Sequence, residues 1–169
     1  VRDMLKSNAV AITLPIGEEN DFKGVVDLVK NQAIIWHDAT QGATFDIVPI
    51  PEDMLAEVKE YRSILIEAVA DYDENLLDKY MEDESSITEE EINIALRAAT
   101  MDMAIIPMIA GSSFKNKGVQ FMLDAVCKYL PSPMDKEGIT GIHPDDAELL
   151  EEDQTKILRK PDVKEPFAA

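Results

Sequence analysis

Apolar residues at every second position predict a strand near the start of the chain. Residues 9–16 follow the period of a strand that buries one face and carries small residues on the other. Gly17 and the polar run after it end the pattern. The buried face is predicted to carry Val10, Ile12, Leu14 and Ile16.

Further runs of β-forming residues predict a hairpin and a fourth strand. Residues 24–30 and 32–37 are separated by little more than Asn31, a spacing typical of a tight turn between antiparallel strands. Residues 43–48 follow a turn-forming segment at residues 40–42. Short strands in such close succession indicate a small, mostly antiparallel sheet.

The period changes to that of a helix after Pro51, a residue that is tolerated at a first helical position. The predicted helix is long and amphipathic, and Tyr72 and Asp73 form a candidate break in it. Its buried stripe is predicted to consist of Val58, Leu65, Val69 and Leu76. Its outward stripe is acidic and consists of Glu60, Glu67, Asp71, Glu74 and Asp78.

Two shorter apolar patterns follow this helix. Thr88, with Glu91 three residues later, has the spacing of a capping box and predicts a second helix. Residues 104–110 form a continuous apolar run, which is typical of a strand covered on both faces in a parallel sheet. Pro107 within that run favours an edge position. The apolar positions of the second helix include Ile92, Leu96 and Ala99.

The last third of the chain predicts one helix and then a linker. After a loop at residues 111–116, apolar residues recur with helical period as far as Pro131. The single cysteine, Cys127, lies in this pattern, so we expect a reduced thiol in the core. Residues 134–165 are polar, with six acids among the nine residues 145–153, and are predicted to be a linker or extended loop. The helix's apolar positions are Val119, Met122, Leu123, Val126, Cys127 and Leu130.

Net charge narrows the classes of partner. The chain has 34 acidic and 16 basic residues and a net charge of −18. This excess repels phosphate backbones, so we expect no direct nucleic-acid contact and favour a basic protein as partner. No run approaches the roughly 18 to 20 apolar residues of a membrane span, and no signal peptide opens the chain. We therefore expect a cytoplasmic protein without membrane contact.

The titratable residues predict neither a metal site nor a catalytic site in this chain. His37 and His143 are far apart, and no metal-ligand spacing surrounds them. The carboxylates follow surface patterns, and none forms an isolated pair in an apolar setting that would suit acid–base catalysis. Trp36 and Phe45 are expected in the core of the small sheet rather than on a platform for base stacking.

The most specific stretch is GSSFKNKGVQ at residues 111–120, a strand–loop–helix corner with exposed backbone N–H groups. Together with YLPSP at residues 129–133, it resembles the end of the GTPase domain of bacterial elongation factor G. The likeness covers essentially the whole chain, as an internal fragment of that family. It includes LPIG at residues 14–17, FKGVVDL at residues 22–28 and AIIW at residues 33–36.

The resemblance implies a nucleotide contact at this corner. In elongation factor G the loop is the fifth guanine-nucleotide motif, and its backbone N–H groups meet the guanine oxygen. This implies nucleotide binding by Ser112, Ser113 and Phe114. Ser113 stands where the family commonly has alanine, which we expect to matter little for a backbone contact. GTP and Mg²⁺ would be ligands of the intact parent.

The motifs that hold phosphates are missing from this sequence. It contains no G-x-x-x-x-G-K-[ST] phosphate loop. The D-x-x-G pattern at residues 135–138 comes after the fifth motif, in the wrong order, and NKGV at residues 116–119 lacks the aspartate of N-K-x-D. We therefore expect the parent to be a GTPase, and this fragment to be non-catalytic and without a cofactor of its own.

The acidic stripe is the second candidate site. Residues 51–102 contain 16 acidic and 4 basic residues, a net charge of −12, and such a helix face is ordinarily a solvated surface. The resemblance implies a different role. Elongation factor G carries an insertion in its GTPase domain whose acidic helix is associated with the basic C-terminal domain of the ribosomal stalk protein. Glu67, Asp71 and Glu74 match the spacing of three carboxylates in that helix.

The resemblance also implies an α/β architecture in four segments. Residues 1–6 would be the helix end of the GTPase-domain flank. Residues 7–103 would be an inserted α+β subdomain, with a small, mostly antiparallel sheet and long acidic helices. Residues 104–133 would be the last strand, fifth guanine motif and helix of a P-loop-type GTPase domain. Residues 134–169 would be an acidic linker and the start of a second domain.

The implied function is that of a translation elongation factor, in which GTP hydrolysis promotes translocation of tRNA and mRNA on the ribosome. Two alternatives stay open. The chain could be a fragment of a related ribosome-recycling or ribosome-rescue GTPase. It could also be a stand-alone acidic protein-interaction domain.

Overall fold

A computed structural model describes residues 7–37, 42–135, 138–146, 155–162 and 164. The expected flank at residues 1–6 and the chain end at residues 165–169 lie outside the described residues, as do Thr40 and Gln41 of the predicted turn. The chain forms two compact units, Val1–Leu130 and Pro131–Ala169.

A four-stranded antiparallel sheet lies at the start of the first unit. Its strands are β2 (Thr13–Ile16), β3 (Gly24–Asp27), β4 (Gln32–Trp36) and β5 (Phe45–Val48). They stand in the order β2-β3-β4-β5, and neighbouring strands run antiparallel, as the sequence predicted. The register pairs Val25 with Ile34 and Ile35 with Asp46.

The single strand predicted for residues 9–16 is wrong, because the chain changes sheets at Ile12. Strand β1 (Ala9–Ala11) pairs in parallel with β6 (Ile106–Met108) instead of joining the four-stranded sheet. The backbone N–H of Ile12 donates to the Met108 carbonyl at 2.9 Å, and its own carbonyl accepts from Leu28 at 3.0 Å. Ile12 therefore links the two sheets, and the alternating burial continues through it.

The predicted hairpin is present, with a longer turn than one residue. Strands β3 and β4 are joined by residues 28–31, and Asn31 has a φ of 55°. The Asp27 carboxylate accepts the backbone N–H groups of Val29 at 2.9 Å and Lys30 at 3.0 Å. These bonds satisfy donors that the turn would otherwise leave free.

Three helices follow the sheet. Helix α1 spans Leu55–Ala70, α2 spans Glu74–Glu82 and α3 spans Glu89–Met101. The predicted break is confirmed: Asp73 has an extended backbone and its side chain caps α2 by accepting from Leu76 N. The predicted capping box is confirmed at the start of α3, between Thr88 and Glu91.

The main core lies between the sheet and helices α1 and α3. Arg62 of α1 donates to the carbonyl oxygens of Leu28 and Val29, which ties the helix to the β3–β4 turn. Each fully buried aliphatic side chain contributes about 1.5–3 kcal/mol relative to exposure. The predicted core residues that are buried here are Val10, Ile12, Leu14, Val58, Leu65, Val69, Leu76, Ile92, Leu96 and Ala99.

Helix α4 (Val119–Tyr129) exposes much of the apolar stripe that its period predicted to be buried. It packs on the unit through Phe121, Ala125 and Tyr129. The prediction of a core thiol is wrong, because Cys127 is exposed. The apolar residues exposed on this helix and just after it are Met122, Leu123, Val126 and Leu130.

Two further burial predictions are wrong. Strand β6 is not covered on both faces, since Ile106 is 50% exposed and Met108 is 36% exposed. Within the described residues β6 pairs with β1 in a two-stranded sheet, consistent with the edge position that Pro107 favours. Trp36 is buried as predicted, but Phe45 lies near the sheet edge on β5 and is 41% exposed.

The second unit contains a hairpin where a linker was predicted. Strands β7 (Ile139–Ile142) and β8 (Lys156–Arg159) pair antiparallel, with Ile139 opposite Arg159. Ile139 is 77% exposed, so backbone hydrogen bonds stabilise this hairpin more than a buried apolar face does. Without such a face, the sequence carried little sign of the two strands. Most of the predicted acidic run lies at residues 147–153, outside the described residues.

Candidate functional site

The corner loop, defined here as residues 111–118, connects β6 to α4 and contains the predicted nucleotide residues. Its base is a two-way backbone bridge: Ser112 N–H donates to Lys117 O, and Lys117 N–H donates to Ser112 O, both at 2.9 Å. Asn116 N–H donates to Ser113 O at 3.0 Å and has a φ of 53°. Gly118 ends the loop with a φ of 86° at the N-cap of α4.

The loop brings Ser112, Ser113 and Phe114 together but gives them different roles. The N–H of Ser112 is used in the bridge, so it is not available to a ligand in this conformation. Ser113 and Phe114 lie at the tip, and their N–H groups make no hydrogen bond to other residues that the structure describes. Phe114 is fully exposed. The tip therefore presents two neighbouring backbone donors.

Two lysines of the corner loop hold it against the turn at residues 17–23, a feature that sequence reasoning missed. Lys117 is 2% exposed and its Nζ donates to Phe22 O at 3.0 Å. The Nζ of Lys115 donates to Asn20 O at 2.7 Å and to Glu19 O at 3.3 Å. The two lysines of the loop were visible in the sequence. The carbonyl groups that accept their hydrogen bonds lie about 95 residues away, so sequence alone did not connect them.

The acidic candidate site differs from its prediction. Glu67, Asp71 and Glu74 are all exposed, but they do not share one helix. Glu67 lies on α1, Asp71 is the C-cap of that helix, and Glu74 is the first residue of α2. The helix is interrupted because the extended backbone of Asp73, with φ −151° and ψ 117°, ends the i→i−4 pattern and starts a new one.

A small cavity of about 110 Å³ lies among β2, the β3–β4 turn, α3 and α4. Burial raises the pKa of Asp27, and the backbone hydrogen bonds from Lys30 and Val29 partly offset that rise. Burial also raises the pKa of Tyr129, and the negative charges of Asp27 and Glu89 add to the effect. The Tyr129 hydroxyl donates to Asn93 Oδ1 at 2.6 Å. The hydrogen bond between Tyr129 and Asn93 therefore links α3 and α4 beside this cavity.

The histidines form pairs with nearby carboxylates. His37 Nε2 lies 3.0 Å from Asp46 Oδ2, and His143 Nδ1 lies 3.6 Å from Asp145 Oδ2. No group of three potential metal ligands occurs within the described residues. Among the helices of the described part of the chain, none has the length and apolarity to cross a membrane.

Two curated proteins match this chain from end to end. The elongation factor G of Amoebophilus asiaticus is 54% identical to it over 169 residues, and that of Cytophaga hutchinsonii is 56% identical over 169 residues. The chain is homologous to a segment of elongation factor G. It spans 23% of the length of each of these relatives. The resemblance inferred from GSSFKNKGVQ and its co-linear motifs is therefore confirmed.

A solved structure supports the fold. A crystal structure of a Thermus thermophilus protein superposes with a TM-score of 0.66 at 25% identity, covering 83% of this chain and 21% of that one. No protein-family model matches the chain. The mixed α/β fold with an antiparallel sheet, expected from the likeness to elongation factor G, is confirmed.

Proposed function

We propose that this chain is a segment of a cytoplasmic translational GTPase that uses GTP hydrolysis to move tRNA and mRNA through the ribosome. The observation that carries the proposal is the identity of 54% and 56% to elongation factor G along all 169 residues. GTP and Mg²⁺ would be bound mainly by parts of the parent outside this chain, because the sequence has no phosphate loop. The segment itself is non-catalytic in this account.

The segment contributes the guanine contact through the tip of the corner loop. Ser113 and Phe114 present backbone N–H groups that no described residue accepts. Backbone donors suit the carbonyl oxygen of guanine and reject the amino group at the same position of adenine. Ser112 serves by closing the base of the loop, since its N–H donates to Lys117 O.

The exposed apolar residues of β6 and α4 would be covered by the remainder of a P-loop-type GTPase domain. Ile106 and Leu123 are 50% and 54% exposed, and Met122 and Val126 are 47% and 44% exposed. Exposed apolar residues grouped on one element typically mark an interface. The relatives are long enough to supply the cover, because this chain accounts for 23% of their length. Residues 7–103 would then be an insertion in that domain.

The acidic surface around Glu67, Asp71 and Glu74 would contact the basic C-terminal domain of the ribosomal stalk protein. Residues 51–102 have a net charge of −12, which favours approach of a basic partner over distances of about 10 Å at 0.1 M salt. The break between α1 and α2 places the three carboxylates around a helix corner rather than along one stripe.

Nucleotide affinity of the full-length parent tests the guanine contact. Ser113→Pro removes one N–H donor, and we expect it to weaken GTP and GDP binding together by about tenfold, as for loss of one buried hydrogen bond. Ser113→Ala keeps the N–H and is the matched control, with affinity close to the unaltered protein. Equal losses in both variants would assign the contact to the hydroxyl group instead.

A further inference from the structure

The two lysines of the corner loop end on carbonyl groups of one short turn. Glu19–Asp21 form a single turn of 3-10 helix, and the carbonyls of Glu19, Asn20 and Phe22 face the loop. Carbonyls at the end of a helical turn lack partners within it, and lysine side chains commonly satisfy such groups. Three N–H donors on each ammonium group allow one lysine to bind two carbonyls.

Lys117 is unusual because its side chain is buried in this contact. Lysine is seldom fully buried unless polar groups receive it, because the cost of leaving water is large. Here the residue is 2% exposed and reaches Phe22 O. Its backbone also forms both hydrogen bonds of the bridge to Ser112. One residue thus fixes the base of the loop and fastens that base to the turn at residues 17–23.

A second segment of the sheet region supports the loop from another direction. Gly42 has a φ of 76°, and a Cβ built on it would lie 2.2 Å from Asn116 O and 3.0 Å from Lys115 O. Only a residue without a side chain fits against the loop at this point. The loop is therefore held by the lysines on one segment and by close backbone packing on another.

We propose that Lys115 and Lys117 are positioning residues that clamp the corner loop onto the turn at residues 17–23, and that this clamp sets the guanine selectivity of the loop tip. The inference rests on the proposed guanine contact by Ser113 and Phe114. Through the clamp, the four-stranded sheet fixes the direction of two N–H donors that contribute to base binding. A loop released from the turn loses that preorganisation and binds the base less well.

Amide hydrogen exchange in this chain tests the clamp without any nucleotide. Lys115→Met and Lys117→Met keep a long unbranched side chain but remove the Nζ–H donors. We expect the amides of Ser112, Asn116 and Lys117 to exchange at least about tenfold faster in both variants, because their bonds form within the clamped loop. Amides of Val26 and Ile34 in the sheet should keep their protection. Trp36, the single tryptophan, lies close to Gly118 and provides an independent fluorescence signal.

Matched variants separate the clamp from a general loss of structure. Lys115→Arg retains donors at a partly exposed site and should restore slow exchange, and Lys59→Met changes an exposed lysine of α1 and should have no effect. Because Lys117 is buried, its variant can fail to fold, and Lys115→Met then carries the test. Unchanged loop protection in Lys115→Met would overturn the clamp.

Nucleotide selectivity of the full-length parent tests the functional half. The clamp predicts that Lys115→Met lowers the preference for GDP over ADP by about tenfold, as for loosening of one or two hydrogen bonds to the base. Ser113→Pro serves as the reference. If Ser113→Pro lowers GDP affinity but Lys115→Met leaves the preference for GDP over ADP unchanged, the proposed effect of the clamp on selectivity is wrong while the guanine contact stands. If Ser113→Pro has no effect, the guanine contact itself is wrong, whatever the exchange data show.

Discussion

Asp73 stands between α1 and α2 with its backbone extended, and its carboxylate accepts Leu76 N–H at 2.9 Å. The dipeptide Tyr72-Asp73 was recognisable in the sequence as a break, because aspartate is a preferred N-cap residue. The effect of that break on the acidic surface was not recognisable. Helical periodicity assigns Glu67 and Glu74 to one stripe only if the helix continues between them.

Removal of the Asp73 cap should destabilise the first unit. We expect Asp73→Ala to lower the free energy of unfolding by about 1 kcal/mol, the usual contribution of an N-cap aspartate. Asp78→Ala is the control, since it removes the same charge from an exposed site on α2. Urea unfolding followed by circular dichroism measures both. Equal effects in the two variants would mean that charge, and not capping, stabilises α2.

Glu91 links the capping box to α2 and should make stability depend on pH. The hydrogen bond from Lys79 Nζ at 2.6 Å, followed by those from Thr88, lowers the pKa of Glu91 from 4.5 to about 2. Because the folded-state pKa is depressed, the stabilisation is present above about pH 4.5 and is lost as pH falls toward 2.

The pH dependence is measured by comparison with a neutral variant. Between pH 5 and pH 2, we expect the stability difference between the unaltered chain and Glu91→Gln to shrink. Glu90→Gln removes a neighbouring exposed acid and is the matched control. Thermal unfolding at several pH values provides the data. A constant difference for Glu91→Gln across this range would contradict the Lys79 contact.

At the scale of elements, periodicity identified the helices correctly but did not show which face of α4 is covered. Its pattern predicted a buried stripe from Val119 to Leu130, yet the described chain covers only the side with Phe121, Ala125 and Tyr129. A sequence pattern records that a face is apolar, and the covering partner determines whether it is buried. The pattern also did not show that β1 is separate from β2, because the strand that β1 pairs with, β6, lies about 97 residues away in sequence.

Helix α4 should respond to the same substitution differently in this chain and in its full-length parent. Leu123 is 54% exposed here, so Leu123→Glu should change the stability of the chain by about 0.5 kcal/mol or less. In the full-length parent we expect a loss of about 2 kcal/mol or more, because the proposed cover would bury the new charge. Gln120→Glu, also on the exposed surface of α4, is the control. Similar small effects in both proteins would contradict the proposed attachment.

For the whole molecule, the net charge of −18 favours a basic partner but does not indicate which residues would bind it. Long-range attraction depends on total charge and is readable from composition. A binding surface depends on where helices end, as the corner between Glu67 and Glu74 illustrates. The corner loop is the reverse case: its motif was readable in sequence, whereas its lysine anchors required the fold.

Binding to the C-terminal domain of the stalk protein should be weak and sensitive to salt. Each exposed ion pair contributes about 0.2–1 kcal/mol, and screening removes most of that as salt rises. Chemical-shift changes in labelled chain should centre on Glu67, Asp71 and Glu74, and should vanish when all three are replaced by lysine. Replacing the exposed acids Glu90, Asp102 and Asp124 by lysine makes the same charge change and should preserve binding. Shifts that survive the first replacement would leave the acidic corner as a solvated surface.

Hydrogen–deuterium exchange in the full-length parent tests whether the corner loop of this segment contacts guanine. The peptide covering residues 111–118 is followed by mass spectrometry with no nucleotide, with GDP and with ADP at equal concentration. We expect slower exchange in this peptide with GDP, smaller or no slowing with ADP, and a smaller GDP effect in Lys115→Met. Saturating GDP that leaves exchange at residues 111–118 unchanged would contradict the guanine contact.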